Sequence, residues 1–221
     1  MRYFNLIATL LICITVTSVF GQKKIETFSY KGKNHNYIIQ LPEDFDASKT
    51  YPVLIGPSEV KSLEDESFYW RGNSNTQGWI LVSYPIYSAT GRIGEVKAFL
   101  GHLKELYNVE GDKFHAVCFS ANSSSIFELV MQIPEYFKGI TGMAGNPSNS
   151  NKESLKRLKG LKVQFVVGDR DTYWMRAAEQ SHSILKGHGV DSKLEIIKNG
   201  QHVMEPLIGK GFLDKANRLR N

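Results

Sequence analysis

From residue 51 onward the sequence alternates between two hydrophobic periods, and few architectures accommodate that alternation. Short apolar runs occur at 52–56 (PVLIG), 79–84 (WILVSY), 114–119 (FHAVCF), 139–144 (GITGMA), 163–167 (VQFVV) and 193–198 (KLEIIK). Their length, their β-branched content and the Gly or Pro that closes several of them fit buried strands. Between them the period changes. Ile93, Val96, Leu100, Leu103 and Tyr107 recur at steps of three and four, which places them on one helix face. Further helices are expected at 123–132, stopped near Pro134, at 176–187 and at 209–220, with a short basic one at 153–159. Strands alternating with helices require right-handed crossovers and a mostly parallel sheet covered on both faces. Residues 27–30 and 37–41 flank a Lys31-Gly32-Lys33-Asn34 turn and predict an antiparallel hairpin at the edge of that sheet. No repeat or linker divides the chain, and 146–151 is only a Pro/Ser/Asn loop.

The first twenty residues do not belong to this pattern. Met1-Arg2 supplies a basic start, residues 6–20 carry no charge, and Val19 and Gly21 are small residues ahead of Gln22-Lys23-Lys24. The run falls short of the ~20 residues that span a bilayer. These features predict a signal peptide, residues 1–21, removed after Gly21. The rest, 22–221, is expected to be one domain of 200 residues with a net charge of +4 and no stable membrane insertion, exported to a periplasm or the extracellular medium. Its one cysteine, Cys118, cannot form an internal disulfide and is expected to be buried packing. The full chain is 42% hydrophobic, which argues against disorder. Its +5 charge comes without a Lys/Arg cluster, so no nucleic-acid partner is expected. His35, His115 and His188 have no partners at metal-ligand spacing, so no metal is expected. His102 and His182 read as solvated.

The chemistry concentrates at 116–125 (AVCFSANSSS), where a strand ends, a serine appears and a helix begins. This places Ser120 at the carboxyl end of a strand, where ligands bind in α/β sheets. Ser123, Ser124 and Ser125 fall in the first helical turn and read as capping residues. Asp171 follows the strand at 163–167, and His202 follows the strand at 193–198. All three can therefore meet at one sheet edge. A serine hydroxyl is a poor nucleophile until a histidine accepts its proton, and a carboxylate sets the imidazole tautomer.

The motifs resemble those of the α/β-hydrolase superfamily. They are most similar to its compact branch of feruloyl and acetyl-xylan esterases, polyhydroxybutyrate-depolymerase-like esterases and prolyl-oligopeptidase-like domains. Residues 51–56 (YPVLIG) resemble the strand before the oxyanion loop, and Phe119-Ser120-Ala121 the nucleophile elbow. Residues 168–171 (GDRD) resemble the Gly-x-x-Asp turn, and 200–202 (GQH) the Gly-x-His loop. The resemblance implies a three-layer α/β-hydrolase sandwich with little or no lid. It implies Ser120 as nucleophile, His202 as general base and acid, and Asp171 as orienter, with no cofactor. The Ala121 N–H is the expected oxyanion donor, and Ser58 N–H a second one. The family's usual elbow is Gly-x-Ser-x-Gly, whereas Cys118 and Asn122 stand here; Pro57 has no N–H to donate. Tyr87, Tyr173 and Trp174 are expected to wall the substrate cleft, which suits a small-molecule or polymer-attached ester. The alternative is a hydrolase-fold protein with a degenerate elbow that serves as a binding module.

Overall fold

A computed structural model gives the fold and describes residues 23–89, 91–148 and 152–220. The expected signal peptide lies outside the described residues. The chain opens with the hairpin, β1 (Lys23–Tyr30) and β2 (Lys33–Gln40). Its turn is only two residues long, Lys31 (φ 49°) and Gly32 (φ 76°), so Lys33 and Asn34 already belong to the second strand. Positive φ at both central residues matches the right-handed twist of the flanking strands. β1 begins four residues before the apolar run at 27–30. Backbone pairing of Lys23–Glu26 with Tyr37–Gln40 extends it, not side-chain burial.

The remaining strands are β3 (Val53–Pro57), β4 (Ile80–Tyr84), β5 (Phe114–Phe119), β6 (Phe137–Met143), β7 (Lys162–Gly168) and β8 (Asp191–Ile197). They form one sheet in the order β1-β2-β4-β3-β5-β6-β7-β8. β1 and β2 run antiparallel, as do β2 and β4; all later neighbours run parallel. After β3 the chain moves outward to β4, then crosses back over β3 to β5. The direction of winding thus reverses beside β5, and this leaves a crevice at its carboxyl end.

Helices α1 (Ile93–Leu106), α2 (Ser123–Gln132) and α3 (Thr172–Gly187) cover one face, against Ile55, Val82, Ala116, Cys118 and Phe165. The other face buries Leu54, Leu81, Val117 and Val166 under α4 (Lys210–Ala216) and under Tyr69, Trp70 and Trp79. The long connection between β3 and β4 therefore lies flat on the sheet instead of arching over its edge. α3 starts four residues earlier than the apolar period suggests, because its first turn carries the exposed Tyr173 and half-buried Trp174. The segment Lys152–Leu158 is a 3-10 helix. Neither His102 nor His182 is simply solvated: His102 Nε2 lies 3.2 Å from Tyr37 Oη, and His182 Nδ1 lies 2.9 Å from Ser192 Oγ.

His115 points into the α4 side of the core with its ring edge-to-face on Trp79, 5.0 Å between centroids. It is 1% exposed, and its Nδ1 has no partner among the described residues. Burial lowers its pKa from 6.5 to about 3, helped by Lys138, Arg220 and Lys162. The unfolded chain therefore takes up a proton near pH 6.5 that the folded protein refuses. The stability this contributes is fully present above pH 6.5 and is lost as pH falls toward 3, at about 1.4 kcal/mol per pH unit. Urea unfolding of His115→Gln should show an acid dependence shallower by about that slope between pH 6 and pH 4.

Candidate active site

At the end of β5 the chain turns through a 3-10 segment, Ser120–Asn122, directly into α2. Ser120 has φ 52°, a left-handed conformation that costs about 1–3 kcal/mol in a residue with a side chain. Its surroundings hold it there. Ser120 N–H donates to the Ala144 carbonyl at 3.1 Å. Phe119 N–H donates to Asn122 Oδ1 at 2.8 Å, so the large residue at the usual glycine position is used as a clamp. Ser123 Oγ donates to the Ser120 carbonyl at 2.6 Å and accepts Asn146 N–H at 3.1 Å, so it ties the elbow to the loop after β6 and does not cap α2 as expected.

The crowding that glycines usually relieve within the elbow is relieved from the neighbouring strand instead. A Cβ on Gly142 would lie 2.3 Å from the Gly145 carbonyl oxygen, and one on Gly145 would lie 2.7 Å from Ser123 Cβ. Cys118 is fully buried with Sγ 3.5 Å from the Thr141 carbonyl oxygen, and burial pushes its thiol pKa well above the usual value. An inert packing role follows.

Asp171 sits at the end of the turn after β7 and His202 in the loop after β8. The two loops dock backbone to backbone. Arg170 N–H donates to the Gly200 carbonyl at 2.9 Å, and Asp169 N–H to the Ile197 carbonyl at 3.1 Å. The result brings the three expected polar residues together: His202 Nδ1 is 2.6 Å from Asp171 Oδ2, and His202 Nε2 is 2.8 Å from Ser120 Oγ. The carboxylate can only accept, so it favours the Nδ1–H tautomer and leaves Nε2 to accept from the serine hydroxyl. The Asp171 side chain is 11% exposed and that of His202 39%, so solvent reaches the ring but little of the carboxylate. Phe119 and Trp174 flank the imidazole at 5.2 Å and 5.9 Å between centroids. The sequence reading missed Phe119, although its place beside Ser120 was a usable signal.

Ala121 is the second residue of the 3-10 turn, so its N–H has no partner inside the helix and is free to face a ligand. The expected role of Ser58 requires correction. Its N–H donates to the Tyr84 carbonyl at 3.2 Å, continuing the parallel β3–β4 ladder by one step. Its hydroxyl donates to the Asp65 carbonyl and accepts Val60 N–H at 3.0 Å. Ser58 is thus a buried loop anchor and not an oxyanion donor.

Two cavities flank the elbow. One, of about 700 Å³, is bordered by Ala121, Ser124, Asn146, Tyr173, Trp174 and Arg176. Tyr173 and Trp174 line it, with Tyr173 73% exposed. The other, of about 270 Å³, is a mostly aromatic slot formed by Phe68, Tyr69, Phe119 and Tyr87. Tyr87 thus lies on the opposite side of the elbow from Tyr173 and Trp174, and its hydroxyl donates to the Glu59 carboxylate. Among the described residues, no group of three or more His, Cys, Asp or Glu side chains is placed to hold a metal ion. No described helix is long and apolar enough to cross a membrane.

No family model and no curated protein matches the sequence. Solved structures do match in shape. A dienelactone hydrolase from Anabaena variabilis aligns with a TM-score of 0.66 at 15% identity, covering 90% of this chain and 97% of its own. A CE1 ferulic acid esterase from the anaerobic fungus Anaeromyces mucronatus aligns at 0.63 and 14% identity, covering 86% and 88%. A thermostable esterase aligns at 0.63 and 13% identity; 92% of this chain matches, but it spans only 61% of that protein. The chain has the α/β-hydrolase fold, an eight-stranded sheet with the antiparallel hairpin at one edge.

The Gly168–Gly200 contact carries a prediction. A Cβ on Gly168 would lie 2.2 Å from the Gly200 backbone. Gly168→Ala should destabilise the protein by about 1–3 kcal/mol, read as a lowered urea midpoint, because two loops must separate to admit a methyl group.

Proposed function

We propose that this chain is a serine esterase that cleaves small-molecule or polymer-attached carboxylic esters after export to a periplasm or the extracellular medium. The observation that carries this reading is the relay from Ser120 Oγ through His202 to Asp171, at 2.8 Å and 2.6 Å. Fold likeness to esterases and a dienelactone hydrolase supports it. Fold alone does not assign chemistry.

In this reading His202 Nε2 takes the hydroxyl proton as Ser120 Oγ attacks the ester carbonyl. The Nδ1 proton stays on the ring and donates to Asp171, whose carboxylate stabilises the imidazolium. The Ala121 N–H donates to the developing oxyanion. The tetrahedral species collapses, His202 protonates the departing alcohol, and an acyl-serine remains. Water, deprotonated by the same imidazole, then releases the acid. His202 Nε2, already within hydrogen-bond reach of Ser120 Oγ, serves each of these proton transfers.

One observation favours the second reading, a binding module with weak turnover. Pro57 has no N–H, and Ser58 N–H is spent on Tyr84, so the β3 loop offers neither as an oxyanion donor. Loss of one such donor costs roughly 10²–10³ in rate elsewhere. Hydrolysis of p-nitrophenyl acetate and butyrate, compared with Ser120→Ala, separates the two readings. An esterase should lose about 10³-fold or more in kcat with Ser120→Ala and should label with a fluorophosphonate at Ser120. Equal rates and no labelling would leave the binding module. For export, the N-terminus of the secreted protein should read from Gln22.

A further inference from the structure

The two cavities beside Ser120 differ in charge. Among the described residues bordering the larger one, Arg176 is the only charged side chain. It is exposed and forms no ion pair with a described residue. The nearby carboxylate of Asp171 is occupied by His202. The amino-terminal turns of α2 and α3, at Ser123 and Thr172, also border this cleft, and helix starts carry partial positive charge. The slot on the other side of the elbow differs: its one charged lining side chain, Glu59, accepts from Tyr87 and pairs with Lys61 at 3.8 Å, and Arg71 lies 4.3 Å from the Phe68 ring, so its charge is compensated. An ester lying across Ser120 thus meets an unpaired cation on one side and an aromatic slot with a paired carboxylate on the other.

We propose that the larger cleft reads a carboxylate, and that the preferred ester carries one on the part lying against Tyr173 and Trp174, where Arg176 binds it. The proposal rests on the esterase reading above. Tyr173 and Trp174 supply the apolar wall for the atoms between carboxylate and scissile carbonyl. A guanidinium offers paired N–H donors that fit a carboxylate, and charge-assisted contacts of this kind are the stronger hydrogen bonds. Glu59 is already paired with Lys61, so the attraction of the unpaired Arg176 on the one side fixes the orientation.

The test uses two matched pairs of esters. 4-Nitrophenyl hemisuccinate and its methyl ester place the carboxylate on the acyl side. 4-Acetoxybenzoate and its methyl ester place it on the alcohol side. The native protein should favour the carboxylate member of one pair by about tenfold in kcat/KM, and that pair reports which side occupies the cleft. Arg176→Gln should bring the ratio to about one, and Arg176→Lys should keep part of it. A native ratio of one or below in both pairs would overturn the proposal. So would a ratio that survives Arg176→Gln, since the net positive charge of the chain would then explain it. Failure of the esterase reading looks different: no ester is turned over and no fluorophosphonate attaches. Calorimetric titration of Ser120→Ala with 4-acetoxybenzoate and its methyl ester then decides carboxylate recognition by itself. Tighter binding of the acid that is lost with Arg176→Gln supports the proposal, and equal binding overturns it.

Discussion

Gly168 and Gly200 meet backbone to backbone where β7 and β8 end, and the distance between Asp171 and His202 depends on that contact. Parallel pairing of β7 with β8 runs through Gly168 and Ile197, so the two loops leave the sheet side by side. With no side chain on either glycine, the loops close on each other, and Arg170 and Asp169 bond across the gap. The aspartate and histidine, 31 positions apart in the chain, are thereby held 2.6 Å apart by groups that take no part in chemistry. The geometry of the pair is therefore established on folding.

The elbow shows the same constraint solved by different residues. A strained serine between a strand and a helix needs room, and the usual answer is glycine on either side of it. Here Cys118 and Asn122 occupy those positions. Room comes from Gly145 just beyond the next strand, which packs on Ser123 and is itself packed on Gly142, and Asn122 turns its bulk to use by accepting the Phe119 N–H. The cost of Ser120's positive φ is offset by several short backbone and side-chain bonds within a few residues of it. An atypical motif therefore coexists with an undistorted relay.

The loop after β3 is where geometry departs from expectation. Ser58 N–H faces the neighbouring strand and not the cleft, because parallel ladder pairing continues one residue past Pro57. A backbone donor engaged in a ladder bond is not available to a ligand without breaking it. The polar character of the site is instead divided between its two sides, with Glu59 beside the aromatic slot and Arg176 beside the open cleft. His202 lies between Phe119 and Trp174, which limits ring rotation and leaves one edge open to solvent.

Much of this was determined by the sequence alone. The change of period from strand to helix, the bounds of β5 and α2, and the placing of Ser120, Asp171 and His202 after the strands β5, β7 and β8 are local properties, legible in the order of residues. Strand identity follows from apolar runs because burial on both faces demands them. The start of α3 was not legible, because its first turn is exposed and carries no apolar stripe. Nor was the fate of Ser58 N–H, because a hydrogen bond to Tyr84 joins residues 26 positions apart and depends on strand register. The same holds for Phe119 and Trp174 against His202, for the glycines that make room for the elbow, and for the unpaired Arg176 beside the open cleft. Each is a contact between elements that only packing brings together, and no local pattern of residue types encodes it.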